Sequence, residues 1–520
     1  MGKHPAFMRC FSEKQTMNRK IICLVAVIFI LAVLIYHNYI IRPWMLDDAF
    51  ISFRYAENFA AGHGLVFNPG ERVEGYTTFL WVLILAAGKA IGLRVAPLAQ
   101  ILGALFALGT VLLLMFAHRF SSRVSASGSL LAALFLGTCG AFTPWPSSGM
   151  EVSLFTFLVL LSLLYHFLLA ERETPGIRQL LLLGAVLALS ALTRPEGLLV
   201  AGLVLADRLL KGRKTGWRNF SFAFLSFAFI YIPYFCWRFA YYGYPLPNTF
   251  YTKVGSSAEQ ISRGLAYFEN FLSPALLLIA VALIPLATLR WFRTYRNLSL
   301  IPLILFFYTA YIILVGGDIM PAFRFFTPLL PLLCLLAGIA LSSLPGPRKL
   351  AVAAGLFLSL AVIAYNLYEI RYDWYIRNKI KLDQTAVRGR EVGLWLRIHS
   401  RPDAVLATNT AGSIPYFSRL KTIDMLGLND LHIAHRPIAV GKGKPGHEKG
   451  DGVYVLSRRP EYIHLGSSLG SIRPDHGFLG DKEIFDQPLF HQLYELKIIS
   501  LPSGKRLNIF QKKRNRGSSK

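Results

Sequence analysis

Long apolar stretches recur along the first 370 residues of the chain. A membrane-spanning helix needs about 20 mainly apolar residues, and eight stretches have or approach that length: 21–41, 98–117, 152–170, 220–241, 271–289, 300–316, 329–344 and 350–370. Three shorter stretches, at 130–142, 180–192 and 198–210, bring the predicted number of spans to about eleven. The pattern predicts an α-helical polytopic membrane domain over residues 21–370, preceded by a short basic tail at 1–20.

The pattern changes to mixed polar and apolar residues at position 371. A helix is predicted at 375–396, and short strands are predicted at 405–408, 421–425, 453–456 and 495–499. We therefore expect a small α/β domain over residues 371–511, followed by a basic tail at 512–520.

The distribution of basic residues predicts the orientation in the membrane. The formal charge is +26, and basic residues cluster in short loops, at 14–20, 118–123, 211–218, 290–296 and 348–349. These clusters all fall on one side if the apolar run 79–93 lies along the membrane surface and does not cross it. By the positive-inside rule that side is the cytoplasm. The N-terminus is then cytoplasmic and the C-terminal domain extracytoplasmic, and nucleic acid is disfavoured as a partner.

Composition agrees with a membrane location, because 54% of the residues are hydrophobic and 16% are charged, against about 25% charged in soluble domains. The charged residues that remain concentrate in the predicted first outer loop, 42–78. Asp47 and Asp48 stand directly after the first span, and Arg54, Arg72 and Glu74 follow. One interpretation is that an aspartate caps the next helix. The other is catalytic, because glycosyl transfer needs a carboxylate base and cations that hold a departing phosphate.

Several motifs resemble those of the GT-C membrane glycosyltransferases, in particular the mycobacterial terminal arabinofuranosyltransferase branch. They are DDAFI at 47–51, GHGLVFNPGERVE at 62–74, SGME at 148–151, TRPEG at 193–197, YGYPLPNTFY at 242–251, GGD at 316–318 and DMLGLN at 424–429. The resemblance implies that Asp47 matches the catalytic acidic position and that Asp48 assists it or binds a divalent metal ion, with the division between the two open. It also implies a donor-phosphate or substrate site, formed by Arg54, Arg72, Glu74, Glu151, Arg194, Glu196, Lys253, Asp318 and Arg324.

Some of these residues also have simpler interpretations. Glu151 can favour a helix N-terminus through the helix dipole, and Arg194 with Glu196 can form an ordinary turn. Asp318 and Arg324 can simply pair with each other, and Lys253 can be a solvated loop residue.

The resemblance implies transfer of a sugar, for example a pentofuranose such as arabinose, from a polyprenyl-phosphate carrier. The acceptor would be a cell-envelope glycan, lipid or protein at the outer face of a bacterial plasma membrane. A transporter or flippase of a lipid-linked sugar is the main alternative, and an assembly subunit without catalysis is a third. No cofactor is expected other than the metal ion that the resemblance leaves open, since no Walker or dinucleotide-binding motif is present.

Overall fold

The computed structural model describes residues 6–41, 44–211, 215–255, 257–287 and 295–513. Most of the predicted C-terminal tail, the first five residues, Arg42 and Pro43 of the predicted first outer loop, and Arg213, Lys214, Arg290 and Arg293 of the basic clusters lie outside these ranges. The helices of the N-terminal part are Ala6–Ile40, Ala49–Ala60, Phe79–Ala90, Val95–Met115, Ala126–Thr138, Val152–Ala170, Ile177–Thr193, Gly197–Lys211, Gly216–Tyr242, Asn248–Lys253, Ala258–Leu283, Leu300–Leu314, Leu330–Ser342 and Arg348–Tyr372.

Eight helical segments in the described ranges are long and apolar enough to cross a membrane. They are Ile21–Ile40, Val95–Met115, Val152–Ala170, Gly216–Tyr242, Ala258–Leu283, Arg296–Leu314, Pro321–Ser342 and Arg348–Tyr372. Each corresponds to one of the eight long apolar runs, so the helical multi-pass class is confirmed. Three shorter apolar helices, Phe79–Ala90, Ala126–Thr138 and Ile177–Thr193, accompany them. The total of eleven spans and the orientation of the termini stay predictions.

The helices differ in how much of their surface the protein itself covers. Val152–Ala170 and Pro321–Ser342 are mostly buried and form the centre of the bundle, whereas little of Gly216–Tyr242 is covered. A helix that is apolar on all sides is expected either in a protein core or in lipid. The two central helices meet the first condition, and the exposed apolar side chains of Gly216–Tyr242, such as Phe229, fit the second.

A five-stranded sheet forms the C-terminal part. Its strands are β1 (Val405–Thr408), β2 (Lys421–Asp424), β3 (Tyr462–His464), β4 (Tyr494–Ser500) and β5 (Arg506–Lys512), in the order β2-β1-β3-β5-β4. β1 pairs in parallel with both β2 and β3, and β5 is antiparallel to β3 and β4. The helices around the sheet are Lys379–Leu382, Thr385–His399, Ser413–Ser418, Leu431–His435, Gly452–Ser457, Leu479–Phe485 and Pro488–Leu493.

The structure corrects two secondary-structure predictions in this region. The apolar run 453–456, predicted as a strand, lies in the helix Gly452–Ser457, whose first turn is capped by the Asp451 carboxylate accepting from the Tyr454 amide. The helix predicted at 375–396 is interrupted around Asp383. The predicted strands at 405–408, 421–425 and 495–499 correspond to β1, β2 and β4.

Candidate active site

Asp47 is held by the loop that follows β1. Its carboxylate accepts hydrogen bonds from the amides of Gly412 (3.0 Å) and Ser413 (2.8 Å) and from the Ser413 hydroxyl. A side chain at Gly412 would meet the Asp47 carbonyl oxygen at 1.9 Å, so only glycine allows this approach. Burial raises the pKa of Asp47 to about 6, against the lowering effect of the Ser413 hydrogen bonds. Through its hydrogen bonds to Gly412 and Ser413, Asp47 joins the membrane part to the sheet part of the chain.

Asp48 lies where two neighbouring cavities meet. One cavity of about 300 Å³ extends toward the sheet and is also lined by Asp47, and the other, of about 350 Å³, extends into the helical bundle. Asp48 and Lys253 line both of them. Asp48 precedes the helix Ala49–Ala60 but makes no side-chain capping bond to it. Helix capping therefore accounts for neither aspartate in this structure.

Five of the predicted site residues form two ionic groups on the wall of the bundle cavity. Arg194 bonds Glu151 and also pairs with Glu196 at 2.7 Å. Arg324 donates to Asp318 at 2.8 Å. The pairing that was the simpler interpretation of Asp318 and Arg324 is thus present, and both residues still line the cavity. Because each arginine already has a carboxylate partner, neither group carries a net positive charge for an incoming phosphate.

Lysines supply the unpaired positive charge. Lys253, Lys379 and Lys444 line the cavity on the sheet side, and among the described residues none of them lies within 4 Å of a carboxylate. The Lys379 ammonium lies 5.0 Å from the centre of the Tyr375 ring, and burial lowers its pKa. An ammonium without a carboxylate partner can bind phosphate as a point charge.

Three predicted site residues lie elsewhere. Arg54 is buried and donates to the carbonyls of Phe67, Pro415 and Leu420 and to the Asn68 side chain, so its donors are used within the protein.

Glu74 is buried beside Arg238, 2.6 Å from its guanidinium. Arg72 packs over the Tyr241 ring at 4.7 Å and lines a separate groove. We correct the expectation for these three residues, because the structure brings none of them to the cavities around Asp48.

Several residues at the cavities were missed in the sequence. Besides Lys379 and Lys444, they include Asp383, Asn409 and Thr410. Burial raises the pKa of Asp383. These residues belong to the region after 371, where no familiar motif marks them. The one available signal was their position, since Asn409 and Thr410 directly follow a predicted strand.

A divalent metal ion does not fit the groups around Asp48. No cluster of three or more histidine, cysteine, aspartate or glutamate residues suited to a metal occurs in the described part of the chain. The Asp47 oxygens already accept three hydrogen bonds from Gly412 and Ser413. We therefore derive no step through a metal ion.

Solved structures of GT-C membrane enzymes share this fold. The chain superposes on ArnT from Cupriavidus metallidurans bound to undecaprenyl phosphate with a TM-score of 0.53 and 14% identity, over 77% of this chain and 85% of that one. The oligosaccharyltransferase AglB from Archaeoglobus fulgidus, in complex with an inhibitory peptide and a dolichol-phosphate, gives 0.59 and 13% identity over 96% and 75%. The fold is therefore the GT-C membrane fold.

Two curated relatives carry the same name, terminal beta-(1->2)-arabinofuranosyltransferase. The protein from Mycobacterium tuberculosis is 31% identical over 261 residues, which are 48% of this chain and 41% of the relative. The one from Corynebacterium glutamicum is 29% identical over 333 residues, 56% of this chain and 47% of the relative. The resemblance found in the sequence is confirmed, and the chain spans less than half the length of these relatives. Residues 374–510 match a family described as a domain of unknown function (DUF8728).

Proposed function

We propose that this protein transfers a glycosyl group from a polyprenyl-phosphate-linked sugar to an acceptor hydroxyl, with Asp48 as the base. The observation that carries the proposal is the position of Asp48 between two cavities, beside the unpaired Lys253. One cavity can hold the donor and the other the acceptor, so that both reach the same carboxylate. The named relatives are transferases, which favours an enzyme over a transporter, a flippase or an assembly subunit.

The reaction is a single displacement at the anomeric carbon. Asp48 takes the proton from the acceptor hydroxyl, the hydroxyl oxygen forms the new bond to the anomeric carbon, and the bond from that carbon to the phosphate oxygen breaks. The products are the glycosylated acceptor and polyprenyl phosphate. Asp47 positions its neighbour, because its own carboxylate is held by Gly412 and Ser413.

Positive charge near Asp48 stabilises the leaving phosphate. Lys253 contacts both cavities, and Lys379 and Lys444 line the sheet-side cavity. A preorganised cation stabilises charge that develops in the transition state. The paired Arg194 and Arg324 line the bundle cavity and add local polarity without net positive charge.

Apolar side chains in the wall of the bundle cavity suit the lipid part of the donor. They include Leu246, Phe250, Val315 and Phe325. Leu246 and Phe250 are also 40% and 39% exposed on the surface of the molecule, so the apolar wall continues outward. An isoprenoid chain can lie along this wall while its phosphate meets Lys253.

The sugar, the acceptor and the location complete the proposal. The names of the two relatives support an arabinofuranosyl donor, and the acceptor would be an envelope glycan, lipid or protein. The bacterial origin of the relatives supports a bacterial plasma membrane location. The basic loop clusters support an orientation with the N-terminus in the cytoplasm and the sheet domain outside.

The test compares purified wild-type protein with Asp48→Asn and Asp47→Asn in release of polyprenyl phosphate. The donors are a panel of polyprenyl-phosphate sugars that includes arabinofuranose, and membrane extract supplies the acceptor. We expect Asp48→Asn to lower turnover by about 10² to 10⁴, the usual contribution of a general base, and Asp47→Asn to lower it less. Asp403→Asn is the matched control, because Asp403 is exposed and, within the described ranges, its ion pair is with the equally exposed Arg401.

Turnover that is unchanged in Asp48→Asn would refute the role of the base. A larger loss in Asp47→Asn than in Asp48→Asn, with both proteins folded, would exchange the two roles.

A further inference from the structure

A groove of about 1070 Å³ lies apart from the two cavities at Asp48 and has at least three times the volume of either. Its walls come from the first helix, from the helix Val95–Met115, and from the helices Thr385–His399 and Ser413–Ser418 of the sheet part. Neither Asp47 nor Asp48 lines it. The groove therefore has no direct part in the glycosyl transfer proposed above.

Exposed apolar side chains line the membrane part of this groove. Leu31 and Ile35 come from the first helix, and Ile101 and Leu105 come from Val95–Met115. Both helices are long and apolar enough to cross a membrane, and an apolar helix surface that the protein does not cover is suited to hydrocarbon. A molecule that fills this part of the groove must therefore be apolar.

Positive charge stands at the end of the groove where the helix Val95–Met115 begins. Lys89 and Arg94 are two of the basic residues that line the groove, and both are exposed. Lys89 lies 3.8 Å from Glu57, which also pairs with Arg419, and none of the ion pairs among the described residues involves Arg94. The helix has no acidic residue in its first turn and no side-chain cap, so its dipole adds to the positive charge. An anionic group is favoured at this end, and a head group with its own ammonium is not.

The length of the groove fits one leaflet of a bilayer. From Arg94 the lining residues follow the helix as far as Leu108, a distance of about 20 Å at roughly 1.5 Å per residue. The hydrocarbon core is about 30 Å thick, so one leaflet contributes about 15 Å. A phosphate at Arg94 would therefore place acyl chains beside Ile101 and Leu105 within one leaflet, whereas a polyprenyl chain is much longer than the groove.

The sheet side of the groove is connected to Asp47. Tyr416 and Phe417 line the groove and belong to the short helix whose first residue, Ser413, donates to the Asp47 carboxylate. The Tyr416 hydroxyl also donates to Glu57 at 2.6 Å. A molecule in the groove would therefore contact both the membrane helices and the helix that holds Asp47.

We propose that this groove binds one anionic phospholipid of the surrounding bilayer, with its phosphate at Lys89 and Arg94 and its acyl chains along the two membrane helices. The bound lipid packs against the helix Ser413–Ser418 and stabilises the docking of the sheet part on the membrane part. The binding itself is independent of the proposed function. Its effect on turnover rests on that function, because turnover needs the arrangement of Asp47 and Asp48.

The test measures lipid binding without turnover. Purified full-length protein in detergent is titrated with phosphatidylglycerol, and in parallel with phosphatidylcholine and with inorganic phosphate. Native mass spectrometry counts the bound lipids, and the midpoint of thermal unfolding reports their effect on stability. We expect one tightly bound phosphatidylglycerol per chain, a higher midpoint than with either of the other two, and no displacement of this lipid by undecaprenyl phosphate.

Arg94→Gln removes charge from the head-group end of the groove. We expect it to weaken phosphatidylglycerol binding about tenfold, the loss of about one hydrogen bond to a charged group. Arg178→Gln is the matched control, because Arg178 is also an exposed arginine in the first turn of an apolar helix, Ile177–Thr193, and does not line the groove. It should leave the binding unchanged.

Ala104→Trp fills the apolar part of the groove. Ala104 is exposed and lines the groove, so the larger side chain occupies the lipid site and not the protein core. We expect loss of the bound phosphatidylglycerol. Ala353→Trp is its control, since Ala353 is exposed on the helix Arg348–Tyr372 and lies outside the groove.

Equal retention of phosphatidylglycerol and phosphatidylcholine would overturn the inference, as would binding that is unchanged in both Arg94→Gln and Ala104→Trp. Displacement by undecaprenyl phosphate would overturn it in favour of the carrier lipid, and equal stabilisation by inorganic phosphate in favour of a free anion. A change from dimer to monomer in Ala104→Trp would overturn it in favour of a second copy of the chain. Wild-type protein that binds phosphatidylglycerol as expected but transfers no sugar would refute the proposed function and support the lipid site.

Discussion

Replacement of Arg54 by lysine tests whether this residue stabilises the fold or binds the donor. Two of its hydrogen bonds, to the carbonyls of Pro415 (2.6 Å) and Leu420 (2.8 Å), reach the sheet part, and two more reach Phe67 and Asn68 in its own loop. The guanidinium also lies 4.4 Å from the Phe67 ring centre.

The expected loss of stability follows from this geometry. Lysine has a single, shorter-reaching nitrogen and cannot reproduce a planar group with donors in several directions. We expect at least two of the four bonds to be lost. Hydrogen bonds to charged groups contribute roughly 1.5–3 kcal/mol each, so the free energy of unfolding should fall by about 3–6 kcal/mol.

Thermal unfolding in detergent and limited proteolysis of the sheet domain measure this loss, and the donor KM is determined in parallel at low temperature. The control is Arg390→Lys, since Arg390 is exposed and its one recorded side-chain contact with the described residues is to the Phe417 ring, at 5.7 Å. Unchanged unfolding together with an increased donor KM would refute the structural role and restore Arg54 to the substrate site.

Three further substitutions test the charged groups around the cavities. Arg194→Met leaves the buried Glu151 and Glu196 without their cation, and should lower the free energy of unfolding by about 3–5 kcal/mol. Glu151→Gln keeps the ion pair between Arg194 and Glu196 and should lower it less. Equal melting temperatures of the two variants would contradict this expectation. The pKa of Asp47 is about 6 in the folded protein, against 3.8 for an ordinary aspartate, so the folded state holds the proton more tightly. Its contribution to stability is therefore full below pH 3.8 and is lost as the pH rises to 6. Asp47→Asn should remove this dependence, about 1.4 kcal/mol for each unit of pKa difference, and parallel stability curves for variant and wild type between pH 4 and 7 would show that the carboxyl does not titrate there.

The sequence predicted the helical membrane domain well, because spans of about 20 apolar residues leave little alternative. It predicted the sheet only in part. The run 453–456 has four apolar or aromatic residues, which fit a buried helix face as well as a strand, and the three-residue β3 is too short to show a period. The partners of Arg54, the carbonyls of Pro415 and Leu420, lie more than 350 positions away along the chain, so its structural role could not be found in the sequence.

The cavity residues illustrate the same limit. Asp48 and Lys253 stood out because they are charged residues within recognisable motifs. Asn409 did not, since an amide after a short strand is common in loops. Its place at the cavity depends on the contacts of its amide with Gly466 and Asp481, which can be seen only in the folded chain.

The hydrogen bonds between Asp47 and the loop at Gly412 join residues from opposite ends of the chain, which are synthesised at different times. The membrane helices are translated first, and at that stage Asp47 has none of the donors that later surround it. The carboxylate pair reaches its final arrangement only when the last part of the chain has folded and docked. A nascent, truncated or cleaved protein that lacks the loop at Gly412 would therefore lack this arrangement of the two carboxylates.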